Sequence, residues 1–359
     1  MNNYKETLFF VGKCLTITHE KYNCDLVEQE LKSNTVNWDN VVKLTTSHYV
    51  FPALYCNLKR ANLLHYLPED LIGYMKHITD LNRDRNLKIL KQTKEINQLL
   101  LANNITPIFL KGTGNLLEGL YEDIGERMIG DIDFLVSKNN FKKTIQILEN
   151  DGYQKKENLI DASSFHRHYP KISKRGKIAA AEIHYRMVSS KYNKYFNYAY
   201  VKKTLKTLKT NFLVLSYSNN ILMTAFNKQF NDNGLVYNSI SLRNSYDLFL
   251  LSKKESPLNA LSNFNEFFKE LNYFLIISNF IFNKPTSIDY LDNKTSRNYL
   301  NKSLFLIDNP RREKLRRLTF DVINKYKHIL IVLSKSFYNE KYRTYLSKRL
   351  KYLFSKSNS

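Results

Sequence analysis

Two aspartates, Asp131 and Asp133, stand two residues apart in the apolar run 129–136. Side chains alternate faces along an extended strand, so both carboxylates emerge side by side. Like charges so placed repel unless a cation lies between them. Hard divalent ions such as Mg²⁺ take oxygen ligands, and two such ions about 4 Å apart stabilise both the attacking and the leaving oxygen in transfer at phosphorus. Asp-x-Asp by itself also fits a strand end carrying solvated acids, so the surrounding residues must decide. Upstream, the apolar run 105–110 leads into Lys111, Gly112 and Thr113. A glycine turn there opens a helix whose first amides can cradle phosphate oxygens, and Lys111 adds a positive charge. Arg127, four residues before Asp131, is placed to reach a phosphate or a nucleobase, although a surface salt bridge is its simplest role. Downstream, Glu182 and His184 share one face of a second strand by the same period of two, which supplies a third carboxylate and an imidazole to orient it or touch the acceptor. His166 and His168 flank Arg167 and fit either metal or phosphate contact or a solvated strand face. No Cys or Ser nucleophile arrangement competes.

The elements that must carry these residues follow from periodicity. Residues 1–104 read as helical: Asn37-Trp38-Asp39 looks like a capped helix start, Pro52 sits near the start of the next helix, and a long helix over 71–103 buries a stripe through Leu81, Ile89, Ile96 and Leu100. Residues 105–190 read as a mixed α/β segment. It comprises a strand at 105–110 buried on both faces, a helix after the glycines Gly112, Gly114 and Gly119, a strand at 129–136 and a helix at 139–150. A turn at Gly152 leads to a further strand, and a hairpin joins 165–173 to 178–188 through Lys174-Arg175-Gly176. From 191 to 300 the helical period returns over 218–230, 239–252 and 264–282, and the remainder, 301–359, is a basic helical tail. The expected class is α+β: a small mixed sheet between a helical N-terminal region and an all-helical C-terminal region.

Composition narrows the function. A chain of 359 residues that is 43% hydrophobic and 25% charged folds, and ten glycines with seven prolines favour long helices over a sandwich of short strands. The stretch 8–11 is apolar but broken by Lys13, without a small-residue cleavage pattern, so no export signal is expected. The run 273–282 is about half the ~20 residues a membrane helix requires. Cys14, Cys24 and Cys56 form no Cys-x-x-Cys pair and suggest neither a disulfide framework nor a zinc site, which makes the cytosol the expected compartment. The formal charge is +22, and residues 311–356 hold 14 Lys or Arg against 3 Asp or Glu. Such a tail attracts polyanions, nucleic acid or an anionic membrane surface, or is a solvated face in a Lys-rich chain. RNA is the nucleic acid such a tail could take as a partner. Its tyrosines, such as Tyr338, Tyr342, Tyr345 and Tyr352, either stack on bases or fill a core.

The order Lys111-Gly112-Thr113, Arg127, Gly130-Asp131-Ile132-Asp133-Phe134-Leu135-Val136 and Glu182-Ile183-His184 resembles the uncharacterised bacterial nucleotidyltransferases of the DNA polymerase β-like superfamily. Trp38-Asp39 and the helix around 243–248 extend the likeness to roughly residues 20–255. The resemblance implies two Mg²⁺ ions held by Asp131, Asp133 and Glu182, with Glu182 as base for the acceptor hydroxyl. It makes Gly112-Thr113 the phosphate-binding turn and an NTP the substrate, with the acceptor unspecified. Where the wider superfamily commonly has Gly-Ser or Gly-Gly, this chain has Gly112-Thr113 after a lysine, and Glu182 is a longer arm than the Asp often found there. The alternative is a catalytically silent nucleotide- or RNA-binding module on the same fold.

Overall fold

A computed structural model describes residues 3–155 and 167–357. Its first four helices are α1 (Tyr4–Cys14), α2 (Lys21–Lys32), α3 (Trp38–Ser47) and α4 (Phe51–Arg60). Asn3 and Asn37 cap α1 and α3 by accepting from backbone N–H groups in the first turn, and Pro52 sits in the first turn of α4, where its missing N–H costs nothing. The expected long helix is α5 (Glu69–Ala102). Ile89, Ile96 and Leu100 are buried on it, whereas Leu81 is 53% exposed and lies outside the stripe. Its neighbour Asn82 takes the inner position instead, because the helix packs on a loop whose carbonyls need donors. The Asn82 and Asn86 amides donate to the carbonyls of Ile124, Gly125 and Arg127, and Gln92 bridges the Tyr153 hydroxyl and the Ala179 backbone. An apolar periodicity test cannot find a buried face built of amides.

Among the described residues, seven strands form one mixed sheet: β1 (Ile108–Phe109), β2 (Asp131–Leu135), β3 (Gln154–Lys155), β4 (Ile172–Ser173), β5 (Ala180–His184), β6 (Lys206–Thr207) and β7 (Leu213–Val214), in spatial order β3-β4-β5-β2-β1-β7-β6. At its centre β2 runs parallel to β5, with Asp133 beside Glu182 and Leu135 beside His184, and antiparallel to β1. The hairpin expected at 165–188 exists in shortened form. Only Ile172–Ser173 pairs with β5, a single bridge joins His168 to His184, and Gly176 turns the chain at φ 78°. Part of the expected first arm, with His166, lies outside the described residues. The region after 191 is not wholly helical, since β6 and β7 form a hairpin whose second strand pairs in parallel with β1.

Helices α6 (Lys111–Glu118) and α7 (Phe141–Asn150) pack on the sheet, followed by α8 (Tyr198–Lys202), α9 (Tyr217–Phe226), α10 (Gly234–Tyr237), α11 (Leu242–Ser252), α12 (Pro257–Phe264), α13 (Phe268–Ile281), α14 (Lys294–Asp308), α15 (Pro310–Ser336) and α16 (Glu340–Ser357). The helix expected over 218–230 stops at Phe226 and passes into a wider π turn at Asn227–Asn231, and the one expected over 264–282 is found as α13, starting at Phe268 after a break at Asn265–Phe267 that ends α12. Fully buried Leu8, Phe109, Phe134, Phe226 and Phe249 belong to one continuous core that ties the N-terminal helices to the sheet and to α9–α13.

His48 is one of the polar ties. Its Nδ1 accepts the Leu242 backbone N–H at 3.2 Å, so the proton sits on Nε2, which is 3.0 Å from the Tyr4 hydroxyl. Burial, reinforced by Lys228, pushes its pKa down to about 4. The folded value lies below the unfolded one, so the unfolded chain takes up the proton first as pH falls. Stability from this site is therefore complete above about pH 6.5 and lost progressively towards pH 4, by roughly 3 kcal/mol in all. Urea unfolding across that range should show a shallower acid slope for His48→Asn, whose amide oxygen can still accept from Leu242. An equal slope in both proteins would place the proton uptake elsewhere.

Candidate active site

Strands β2 and β5 present their acidic residues to one wall of a cavity of about 340 Å³. Parallel pairing sets Asp133 level with Glu182, and the period of two adds Asp131 on one strand and His184 on the other. Asp133 and Glu182 are only 8% and 6% exposed, and His184 is fully buried. Its Nε2 lies 2.9 Å from Asp133 Oδ1 and 3.0 Å from Glu182 Oε1, so one N–H is shared between two carboxylates, while its Nδ1 has no partner.

Two ammonium groups close the cluster. Lys111 Nζ donates to Asp133 Oδ1 at 2.6 Å and stands 3.8 Å from Glu182, and Lys171 Nζ bonds Asp131 and stands 3.7 Å from Glu182. Burial alone would raise both inner carboxyls, since it penalises charge. At Asp133 the Lys111 ammonium and the His184 contact outweigh it and hold the group well below the usual carboxylate range. At Glu182 the His184 hydrogen bond and Lys111 prevail over burial and the repulsion of Asp133, and the carboxyl falls to about 2. The site thus holds ionised carboxylates at neutral pH, balanced by cations on mobile stems. His168 flanks Glu182 at 3.6 Å, with its pKa lowered by burial against the pull of that carboxylate.

The turn from β1 into α6 places Lys111. Lys111 itself adopts φ 53°, a left-handed conformation that costs a side-chain-bearing residue energy and that recurs at functional sites. Gly112 lines the cavity, and a Cβ there would meet Ile129 at 2.7 Å. Thr113 is turned away: its buried hydroxyl donates to the Asp131 carbonyl at 3.1 Å and so braces β2 from behind rather than facing the cavity. Arg127 borders the cavity but is only 7% exposed, and its guanidinium grips both Asp247 oxygens at 2.8 and 2.9 Å. Asp247 also accepts from the Tyr121 hydroxyl at 2.7 Å. Arg127 is therefore a buried strut between the loop before β2 and α11, and neither free nor on the surface.

Periodicity missed three residues here. Lys171 lies beside a two-residue strand and is one lysine among many. Asp247 is a lone acid buried in α11. Arg243, also from α11, lines the cavity and lies over the Tyr49 ring at 5.0 Å, with its buried Nε unpartnered. Arg167 lines the same cavity and likewise leaves Nε unpartnered. The cavity thus holds the carboxylate row together with two guanidinium groups that form no ion pair among the described residues.

Asp133, Glu182 and His184 bring ligand atoms within 4.8 Å of one another, and Asp131 continues the acidic row on the same strand. Carboxylate oxygens in this arrangement suit a hard cation, which would take the positions the lysine ammoniums now neutralise. No curated protein and no solved structure matches the chain. A family model described as an uncharacterised nucleotidyltransferase matches residues 34–281, a span that contains every cavity residue named above, and the chain belongs to that family.

Proposed function

We propose that the protein is a Mg²⁺-dependent nucleotidyltransferase of the polymerase β-like kind, which moves an NMP from an NTP to an acceptor hydroxyl and releases pyrophosphate. The observation that carries this reading is the carboxylate row Asp131, Asp133 and Glu182, drawn from two parallel strands into one cavity that Arg243 and Arg167 also line. Those carboxylates would hold the metal, which when bound neutralises the triphosphate and polarises the reacting oxygens. Arg243 and Arg167 are matched to phosphate oxygens, since a guanidinium with free N–H groups binds them bidentately. Lys111 and Lys171 gain a second set of partners when a triphosphate enters. Each ammonium that turns to the substrate releases a carboxylate from the charge that depresses it, which leaves Glu182 a better acceptor for the hydroxyl proton. The acceptor oxygen attacks the α-phosphorus in line, the bond to pyrophosphate breaks, and positioning with charge neutralisation supplies the rate.

The test is transfer of label from each α-³²P NTP, with Mg²⁺ in cell extract, by the parent protein and by the Asp131→Ala, Asp133→Ala variant. Label on RNA, protein or a small molecule with the parent alone is the expected result. If neither protein transfers label while the folded parent still binds NTP, the silent binding module becomes the better reading.

A further inference from the structure

Helix α15 carries a second surface that has no part in the cavity. One side of it packs on the body of the protein: Arg316 donates to the Val236 carbonyl at 2.7 Å, the Tyr237 hydroxyl bonds Asp321, and Phe320 meets the Tyr237 ring. The opposite side is apolar and open. Leu315, Leu318, Val322, Tyr326, Ile329 and Leu333 recur at intervals of three or four, which places them along a single stripe, and they are 41% to 69% exposed. Exposed Lys314 and Lys325 border the stripe, and Arg312 lies near its start. A water-soluble face does not need six large apolar side chains in a row, and such patches mark interaction sites.

We infer that the outward face of α15 docks on an anionic lipid surface, with the helix lying in the plane of the headgroups. Charge decides among the occupants. Residues 311–356 hold 14 Lys or Arg against 3 Asp or Glu, so a second copy would bring two strongly basic faces together. A nucleic acid would satisfy the cations but leave Leu315, Leu318, Val322, Ile329 and Leu333 in water, because aliphatic side chains neither stack on bases nor bind phosphate. An anionic bilayer satisfies both halves: apolar side chains enter the acyl boundary while lysines and arginines lie at the phosphates. The helix lies on the membrane and does not cross it, in keeping with the absence, among the described residues, of any helix long and apolar enough to span one.

The full chain should co-sediment with vesicles of phosphatidylcholine mixed with phosphatidylglycerol and not with phosphatidylcholine alone, and added salt should weaken the binding. The variant Leu315→Ser, Leu318→Ser, Tyr326→Ser alters only exposed positions and should lose at least ~tenfold in vesicle affinity with an unchanged circular dichroism spectrum. A second variant, Lys314→Gln, Lys325→Gln, keeps the apolar stripe and should also lose affinity for the anionic vesicles. The proposal is overturned if the parent ignores anionic vesicles but binds double-stranded RNA of arbitrary sequence. It is equally overturned if serine substitution leaves vesicle binding intact, or if light scattering shows a dimer that the serine variant converts to a monomer.

Discussion

Asp133→Asn is expected to lower nucleotide transfer by about 10³-fold or more while the fold survives. Asparagine keeps the shape of the side chain and one oxygen, but it removes the charge that Lys111 and His184 both face and that would bind a divalent cation. Single preorganised groups at a charge-developing centre are worth about 10²–10³ in rate, and a shared ligand position adds to that. The loss should fall on the chemical step in single-turnover label transfer, with the urea midpoint shifted only modestly. Thr113→Val provides the contrast. Its hydroxyl contacts only the Asp131 carbonyl within the described structure, so its loss should cost less than about tenfold, in proportion to one hydrogen bond of about 1 kcal/mol. If the Asp133 variant kept activity within tenfold of the parent, the carboxylate row would not be the reaction centre.

Asp247→Ala should be the most damaging single change to stability outside the apolar core. It strands the Arg127 guanidinium, which is bound on two nitrogens and is only 7% exposed, and deprives the Tyr121 hydroxyl of its acceptor. Breaking a buried pair by removing one partner costs roughly 3–5 kcal/mol, because the surviving charge is left desolvated. The double variant Arg127→Met, Asp247→Leu leaves no stranded charge and should lose less than the single change, which urea unfolding of both proteins measures. A single variant within 1 kcal/mol of the parent would show that water reaches Arg127 and that the strut carries little.

The local pairing of the acidic residues was more legible than the architecture around them. A period of two along 131–133 and 182–184 needs only local geometry, so the pairing of these groups on one face could be read from spacing. Their mutual level depends on the parallel register of β2 and β5, which no local pattern encodes. Lys171 and Asp247 escaped for a related reason, since each acquires its role from a partner 40 or more positions away in the chain. Arg127 shows the opposite error: its type suggested a phosphate contact, whereas a distant aspartate had already claimed it. Strands of two residues, such as β6 and β7, are shorter than the period that would reveal them. The basic composition of the tail was visible in the sequence, but the orientation of its apolar stripe away from α10 needed the packed neighbour.

The β6–β7 hairpin has a consequence for biosynthesis. Strand β1 supplies the turn that sets Lys111, yet one of its edges is paired by β7, which is made about a hundred residues later. A nascent chain that has just emerged through β5 carries all three carboxylates but an incomplete sheet, and it lacks the α11 aspartate that neutralises Arg127. Folding of the carboxylate cluster therefore waits on translation of the segment beyond it. A gene fragment ending after His184 would encode the whole acidic motif and still yield a polypeptide with an open sheet edge, prone to associate through that edge before it could bind a nucleotide.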